Sequence, residues 1–212
     1  MELDDGRALA GDALLLATPA YVTARLLEPL APSSAALLRS IPYVSTAAVT
    51  LAFRREAIRH SLDGHGFVVA RGEPLNITAC TWVSSKWGHR APPDMALLRC
   101  YLGAVGRESV VDEDEARLVA LSRADLGTMM GIDAEPVFFR VARWHQAMPQ
   151  YLPGHPERLA ALAAGLQHLP NVALAGAGYR GLGIPDCIRQ GTEAALRLVG
   201  RLQSADIPPP LA

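Results

Sequence analysis

Three glycines, Gly176, Gly178 and Gly181, stand at G-x-G-x-x-G spacing between an apolar run, Asn171 to Ala175, and a helical stretch opening at Pro185. That spacing lets a backbone approach a pyrophosphate in a dinucleotide-binding β-α turn. The surroundings argue against that use. Only about 30 residues follow, too few for the rest of a βαβ unit, and about 20 residues on stands Arg201, not an acid that could hold a ribose. The same segment has a second chemical property. Pro185 suits the first position of a helix, which makes Ile184 its N-cap, and isoleucine is among the poorest caps. Amides near Gly183, Ile184, Asp186 and Cys187 then need an acceptor from water or a ligand. The positive end of a helix favours one that is anionic or becomes so during reaction. A solvent-capped surface helix accounts for these residues equally well.

Trp144-His145-Gln146-Ala147-Met148-Pro149-Gln150-Tyr151 follows a predicted strand and gathers aromatic, thioether and amide side chains. On a strand-to-loop exit such residues suit the wall of a pocket for a flat ring, and they equally suit a hinge packed by its own aromatics. Thr81 to Trp87, with Trp82 and Trp87, reads more readily as core and edge packing. His60, His65, His89, His145, His155 and His168 are scattered, with no zinc-type spacing, so no metal ligand is assigned. Cys80, Cys100 and Cys187 match neither a disulfide framework nor a zinc pair and read as reduced thiols of a cytosolic protein. There is no G-x-S-x-G elbow and no P-loop, which removes the basis for hydrolase and nucleotide triphosphatase readings.

These residues need elements to hold them. Ala13 to Ala17 is apolar without alternation, as in a strand buried on both faces of a parallel sheet. Thr18-Pro19 then opens a helix through about Leu30, with Thr18 as cap, and Ser33 or Ser34 caps a short helix before Pro42. From Tyr43 the pattern alternates, with Tyr43, Ala47, Val49, Leu51 and Phe53 on one face of a long strand. Phe67 to Ala70, Asn76 to Val83, Leu97 to Gly103 and Val137 to Arg143 complete a largely antiparallel sheet. One helix within Asp112 to Met130, with Ala116, Val119, Ala120, Leu126 and Met130 at roughly helical spacing, covers it. Helical His155 to Gln167, the strand Asn171 to Ala175 and a helix from Pro185 to Leu202, with Ile188, Ala195, Leu198, Val199 and Leu202 inward, restore the α/β texture. The expected fold class is α/β plus α+β: residues 1–41 and 150–205 as one split domain, 42–149 as an inserted sheet domain, and 206–212 as a frayed tail around Ile207 to Pro210.

The 212 residues are half hydrophobic, enough to bury a real core. Twenty Lys and Arg against 21 Asp and Glu give a net charge of -1 without a basic cluster, so nucleic acid is not an expected partner. No apolar run reaches the roughly 18 residues of a membrane span, and the first residues are acidic where a secretory signal would be basic. The expectation is a soluble or membrane-peripheral protein of the cytoplasm.

Four ordered segments carry a resemblance. Ile77-Thr78-Ala79-Cys80-Thr81-Trp82, Leu98 to Gly103, Arg143 to Tyr151 and Ala175 to Cys187 closely resemble the oxygen-dependent protoporphyrinogen and coproporphyrinogen III oxidases, the bacterial branch most, from about residue 12 to 202. The resemblance implies a FAD-binding domain of the discontinuous flavin amine-oxidase type with a mostly antiparallel substrate-domain sheet. It further implies a porphyrinogen substrate in haem synthesis, dioxygen as acceptor and a hydride taken from a methylene bridge in three successive rounds. By resemblance, Trp144 lies beside the flavin, Gly176 and Ala177 belong to its site, and Leu182, Gly183 and Ile184 approach the isoalloxazine. No side chain is assigned as catalytic acid or base. The family's N-terminal dinucleotide motif, its helical membrane-facing or substrate-gating insertion and its basic residues for the substrate carboxylates are absent from this sequence. The chain is therefore expected to be a C-terminal portion that needs a missing N-terminal half. Alternatives are another flavin amine-oxidase-like oxidoreductase, or an inactive remnant that binds no flavin.

Overall fold

The computed structural model describes residue 3 and residues 5–205, so Ile207 to Pro210, where fraying is expected, lie outside the described residues. The chain divides into two compact units, one of Met1–Pro42 with Pro149–Ala212 and one of Tyr43–Met148.

In the first unit, β1 (Leu14–Leu16) pairs in parallel with β7 (Val172–Leu174), Leu14 opposite Val172 and Leu16 opposite Leu174. Parallel pairing is as the apolar texture predicts, but Leu14 and Leu15 are half-buried and only Leu16 is fully enclosed. The described sheet of this unit has two strands. Helix α1 (Ala20–Leu27) starts one residue later than a Thr18 cap requires. Pro19 is the N-cap, its carbonyl accepting from Val22 and Thr23, while the Thr18 hydroxyl bonds instead to that of Thr23 at 2.8 Å. Helix α2 (Pro32–Arg39) begins with Pro32 after Ala31, which places Ser33 and Ser34 inside the helix and not at its cap.

Helix α5 (His155–Gly165) follows Gly154, and α6 (Ile184–Ala205) closes the unit. The buried ridge of α6 is Gln190, Ala194 and Leu198, the last two packed with Ala173 and Ala175. Ile188 and Val199, expected inward, are exposed and with Ile184 and Leu196 form a second apolar stripe; Ala195 is exposed and Leu202 half-buried. A helix with apolar residues on two faces leaves its phase undecided until a sheet selects one of them.

The second unit is a five-stranded sheet in the order β3-β4-β5-β2-β6. Its strands are β2 (Tyr43–Arg54), β3 (Gly66–Val68), β4 (Ile77–Trp82), β5 (Met95–Leu102) and β6 (Phe138–Pro149). β2 runs antiparallel to β5 from Ala47 opposite Leu102 to Arg54 opposite Met95, and β4 pairs with β5 so that Cys80 faces Cys100. A four-residue helix, α3 (Val83–Lys86), separates β4 from Trp87. Ala47, Val49, Leu51 and Phe53 point into the core as alternation predicts, whereas at the start of β2 the buried residues are Val44 and Thr46, not Tyr43. Thr46 satisfies its hydroxyl on the Leu102 carbonyl at 2.9 Å, which makes its burial affordable in hydrogen-bond terms.

Helix α4 (Glu115–Met130) packs on β2, β4 and β5. Asp114 caps it, accepting from the Arg117 amide at 2.7 Å, and Gly131 ends it at φ +63. Its inward residues are Leu118, Ser122, Asp125, Leu126 and Met130; Ala116 and Ala120 are exposed. Asp125 is a buried carboxylate that accepts from the Asn76 amide at 2.6 Å, the Ile77 amide at 2.8 Å and the Asn76 side chain at 3.1 Å. It thereby ties the start of β4 to the covering helix. Removing it leaves two backbone amides without their acceptor, one of them that of the buried Ile77, so Asp125→Ala is expected to lower unfolding free energy by about 3 kcal/mol. Urea denaturation followed by circular dichroism measures this, and a loss below about 1 kcal/mol would show that the carboxylate does not hold the strand.

Candidate functional site

The connection from β7 to α6 is built from both its ends. The Ala175 amide continues the strand pairing by donating to the Leu16 carbonyl at 3.1 Å, and Ala175 is buried. Gly176 then turns the chain at φ +129, and the buried Tyr179 closes a turn on the Gly176 carbonyl. Gly181 sits at φ +122, where a Cβ would lie 2.5 Å from Asp186 Cγ, so only glycine fits. The Gly181 amide donates to the Tyr151 hydroxyl at 3.0 Å, and that hydroxyl donates to the Ala177 carbonyl at 2.6 Å. The third glycine of the G-x-G-x-x-G spacing thus has its amide bonded within the protein, before the helix begins at Ile184.

Helix α6 begins one residue before Pro185. The Cys187 amide donates to the Gly183 carbonyl at 3.0 Å, so Gly183 is the N-cap, Ile184 the first helical residue and Pro185 the second. The expectation of an Ile184 cap is corrected accordingly, and the Cys187 amide is satisfied within the helix. Proline at either of the first two positions forfeits no intrahelical bond, which is why its presence does not set the register. The essential feature survives because glycine has no capping side chain. Among the described residues nothing accepts from the amides of Gly183, Ile184 or Asp186. The Asp186 carboxylate pairs with Arg189 at 3.2 Å, and Leu182 and Ile184 flank the helix start, the latter 77% exposed.

Gly176, Ala177, Leu182, Gly183 and Ile184 are therefore gathered in one connection, while Trp144 belongs to the other unit. Trp144 lies on β6, which runs on to Pro149, so the segment expected as a loop exit is strand. Arg143 donates to the carbonyls of Val111 at 3.0 Å and Glu113 at 2.7 Å, and His145 Nδ1 lies 3.8 Å from Asp112. Alternation then turns Trp144 to the opposite face, where it is 57% exposed. At Gln146 the strand kinks: φ is +45 and the amide donates to the Ser45 hydroxyl at 3.0 Å. Trp82 meets His60 edge-on at 5.0 Å and packs on the core, and Lys86 lies over Trp87, in accord with a packing role for that segment.

Two residues take part that sequence reasoning did not single out in this role. Tyr151 stacks on His155 with ring centroids 4.1 Å apart, and His155 Nε2 lies 2.9 Å from the Tyr179 carbonyl. Tyr151 was legible only as one aromatic in a run, and His155 as one scattered histidine, because their partners are distant in sequence. Among the described residues no group of three or more His, Cys, Asp or Glu could hold a metal, and no helix is long and apolar enough to cross a membrane. Cys80 and Cys100 are buried face to face; the hydrogen bond that the Cys100 thiol makes to Cys80, together with burial, holds it well above the ordinary range.

The family model for flavin containing amine oxidoreductases matches residues 1–199, and the chain belongs to that family. It is 39% identical over 195 residues to the coproporphyrinogen III oxidase of Bacillus subtilis (strain 168), a match that covers 92% of this chain and 41% of that protein. Against the coproporphyrinogen III oxidase of Mycobacterium tuberculosis (strain ATCC 25618 / H37Rv), identity is 38%, with coverage of 95% and 43%. A solved structure from Exiguobacterium sp. 255-15, assigned as a protoporphyrinogen oxidase, superposes with TM-score 0.78 at 34% identity, over 94% of this chain and 43% of that one. The chain thus spans less than half the length of these relatives. A flavin is the cofactor the family implies. The residues at the start of α6 fit one edge of its ring: free amides to meet acceptor atoms, with Leu182 and Ile184 as apolar neighbours.

Burial also sets thiol reactivity. An aryl disulfide reagent at neutral pH is expected to titrate Cys187 alone in the native chain and all three thiols after denaturation. Comparable reaction rates for Cys100 and Cys187 in the native state would show that the sheet core is open to solvent.

Proposed function

We propose that this chain contributes part of the FAD site and the substrate-binding sheet of an oxygen-dependent porphyrinogen oxidase of haem synthesis, acting on coproporphyrinogen III or protoporphyrinogen IX. The observation that carries the reading is the uncapped start of α6, with three amides lacking an acceptor among the described residues. Similarity to the oxidases named above supports the substrate class, and the family supports the flavin. In this reading Met1–Pro42 and Pro149–Ala212 are segments of the FAD domain, and Tyr43–Met148 is the substrate domain.

When bound, the flavin would supply the acceptor for hydride from a methylene bridge of the porphyrinogen, with dioxygen taking the electrons onward. The chain's own contributions are binding and orientation. The Gly183, Ile184 and Asp186 amides would donate to the ring edge, where the helix dipole favours the negative charge that reduction places there. Gly176 and Ala177 would shape the backbone leading to that point, and Leu182 would exclude water from it. Trp144 is proposed separately as a flat, exposed flavin-facing surface, supported by its exposure and by family likeness. No proton transfer is assigned to a side chain, since the cofactor carries the chemistry and the protein orients it. The proposed site of action is the cytoplasm or the inner face of the cell membrane.

The 212-residue chain alone is expected to bind FAD more weakly than about 1 μM, or roughly -8 kcal/mol, in a visible-absorbance titration. The longest protein that its reading frame encodes is expected to retain FAD and to consume dioxygen with coproporphyrinogen III or protoporphyrinogen IX while forming peroxide. Tight FAD binding by the chain alone would refute the divided site. Failure of the longer protein to oxidise either porphyrinogen, or faster turnover of an amine, would refute the substrate class.

A further inference from the structure

We infer that Tyr151 is a positioning residue that locks the connection between β7 and α6 and so aims the free amides at the start of α6. The consequence for a ligand rests on the flavin reading above; the lock itself rests on geometry within one compact unit. A single phenolic oxygen spans the turn, donating to the Ala177 carbonyl at 2.6 Å and accepting from the Gly181 amide at 3.0 Å. Both backbone groups lie in a turn, past the end of β7 and before α6 begins, where no strand ladder or helix supplies a partner. The hydroxyl does for this segment what secondary structure does elsewhere.

The ring that carries the hydroxyl is itself held. Tyr151 stacks on His155 at 4.1 Å with the planes 12° apart, and His155 is buried. Its Nε2 lies 2.9 Å from the Tyr179 carbonyl, which can only accept, so the proton must sit on Nε2. The Tyr179 hydroxyl in turn reaches the buried Thr23 hydroxyl at 3.4 Å. The connection is thus gripped at 177, 179 and 181, while its two positive-φ residues, Gly176 and Gly181, are points where the lack of a side chain would let the backbone swivel. Such swivels need restraint if the next residues are to hold a fixed direction. Gly181 lies only two residues before the Gly183 cap, so any freedom there is passed directly to the amides of Ile184 and Asp186. Partial burial, with the nearby Cys187 and Asp186, raises the Tyr151 phenol from its ordinary range despite the lowering effect of the Gly181 amide.

Tyr151→Phe keeps the ring stacked on His155 and deletes only the bridging oxygen. Amide hydrogen exchange of the 212-residue chain is expected to show Gly181 protected in the unsubstituted protein and exchanging about tenfold faster in Y151F, with the β2–β5 ladder unchanged. In the longest protein that the reading frame encodes, Y151F is expected to weaken FAD binding about fivefold and to alter the flavin's visible band and midpoint potential, which a purely stabilising contact would leave in place. An unprotected Gly181 amide in the unsubstituted chain overturns the lock without need of any variant, so the test holds even if Y151F does not fold. Unchanged exchange in Y151F overturns it as well, and faster exchange with an unaltered flavin spectrum and potential overturns the positioning role. If the unsubstituted longer protein takes up no flavin, the function proposed above fails, while the exchange measurements still decide the lock.

Discussion

The parallel pairing of Leu14–Leu16 with Val172–Leu174 is the constraint on which the first unit depends, because the two strands come from opposite ends of the sequence. A parallel pair needs a crossover, and here the crossover contains an entire folded sheet. Closing so long a loop costs entropy only slowly with length, so the insertion is tolerated provided each part has its own core. The register then decides the site. With Ala173 opposite Leu15 and the Ala175 amide on the Leu16 carbonyl, the strand ends at a fixed point, and everything from Gly176 to Ile184 is measured from it.

From that point the site is made by scarcity of side chains as much as by their presence. Gly176 and Gly181 adopt backbone angles rarely open to other residues, Gly183 caps the helix start without a side chain to accept from its amides, and Pro185 brings no amide of its own. What remains is a short row of outward donors beside Leu182 and Ile184. Tyr151 and His155 supply the rigidity that such a glycine-rich connection lacks.

The second unit follows a different logic. Its centre is dry and aliphatic, with Leu51, Phe53, Leu98 and Leu102 fully enclosed, yet it admits Asp125, Ser122 and the two facing thiols. Asp125 is acceptable there because three donors converge on it, and the cost of losing it is the cost of those donors left unpaired. At the other side of the sheet β6 stays largely exposed, with Arg143 and His145 turned toward the Glu108–Asp112 turn and Trp144 turned away from it.

Read from residues alone, the element types and most of their order were legible. Alternation along Ala47 to Phe53, apolar runs at both ends and the absence of a side-chain cap before α6 are local properties, and local properties survive folding. The resemblance carried by four short segments also pointed to the family to which the chain belongs. Helix phase, helix starts and the paired polar groups were not legible. Ile188 and Val199 face outward because β7 selected the Gln190, Ala194 and Leu198 ridge; Pro19 displaced Thr18 as cap; and Asp125 turned inward because β4 brought it three donors. The cap of α1 was set by a Thr18–Thr23 contact that the residue types alone do not announce, and the phase of α6 and the pairing of Asp125 by partners distant in sequence, which a side chain's chemistry does not reveal. The bridge from Tyr151 to Ala177 and Gly181 belongs to the same class: its two halves carry no mutual signal until the strand pairing brings them within hydrogen-bond reach.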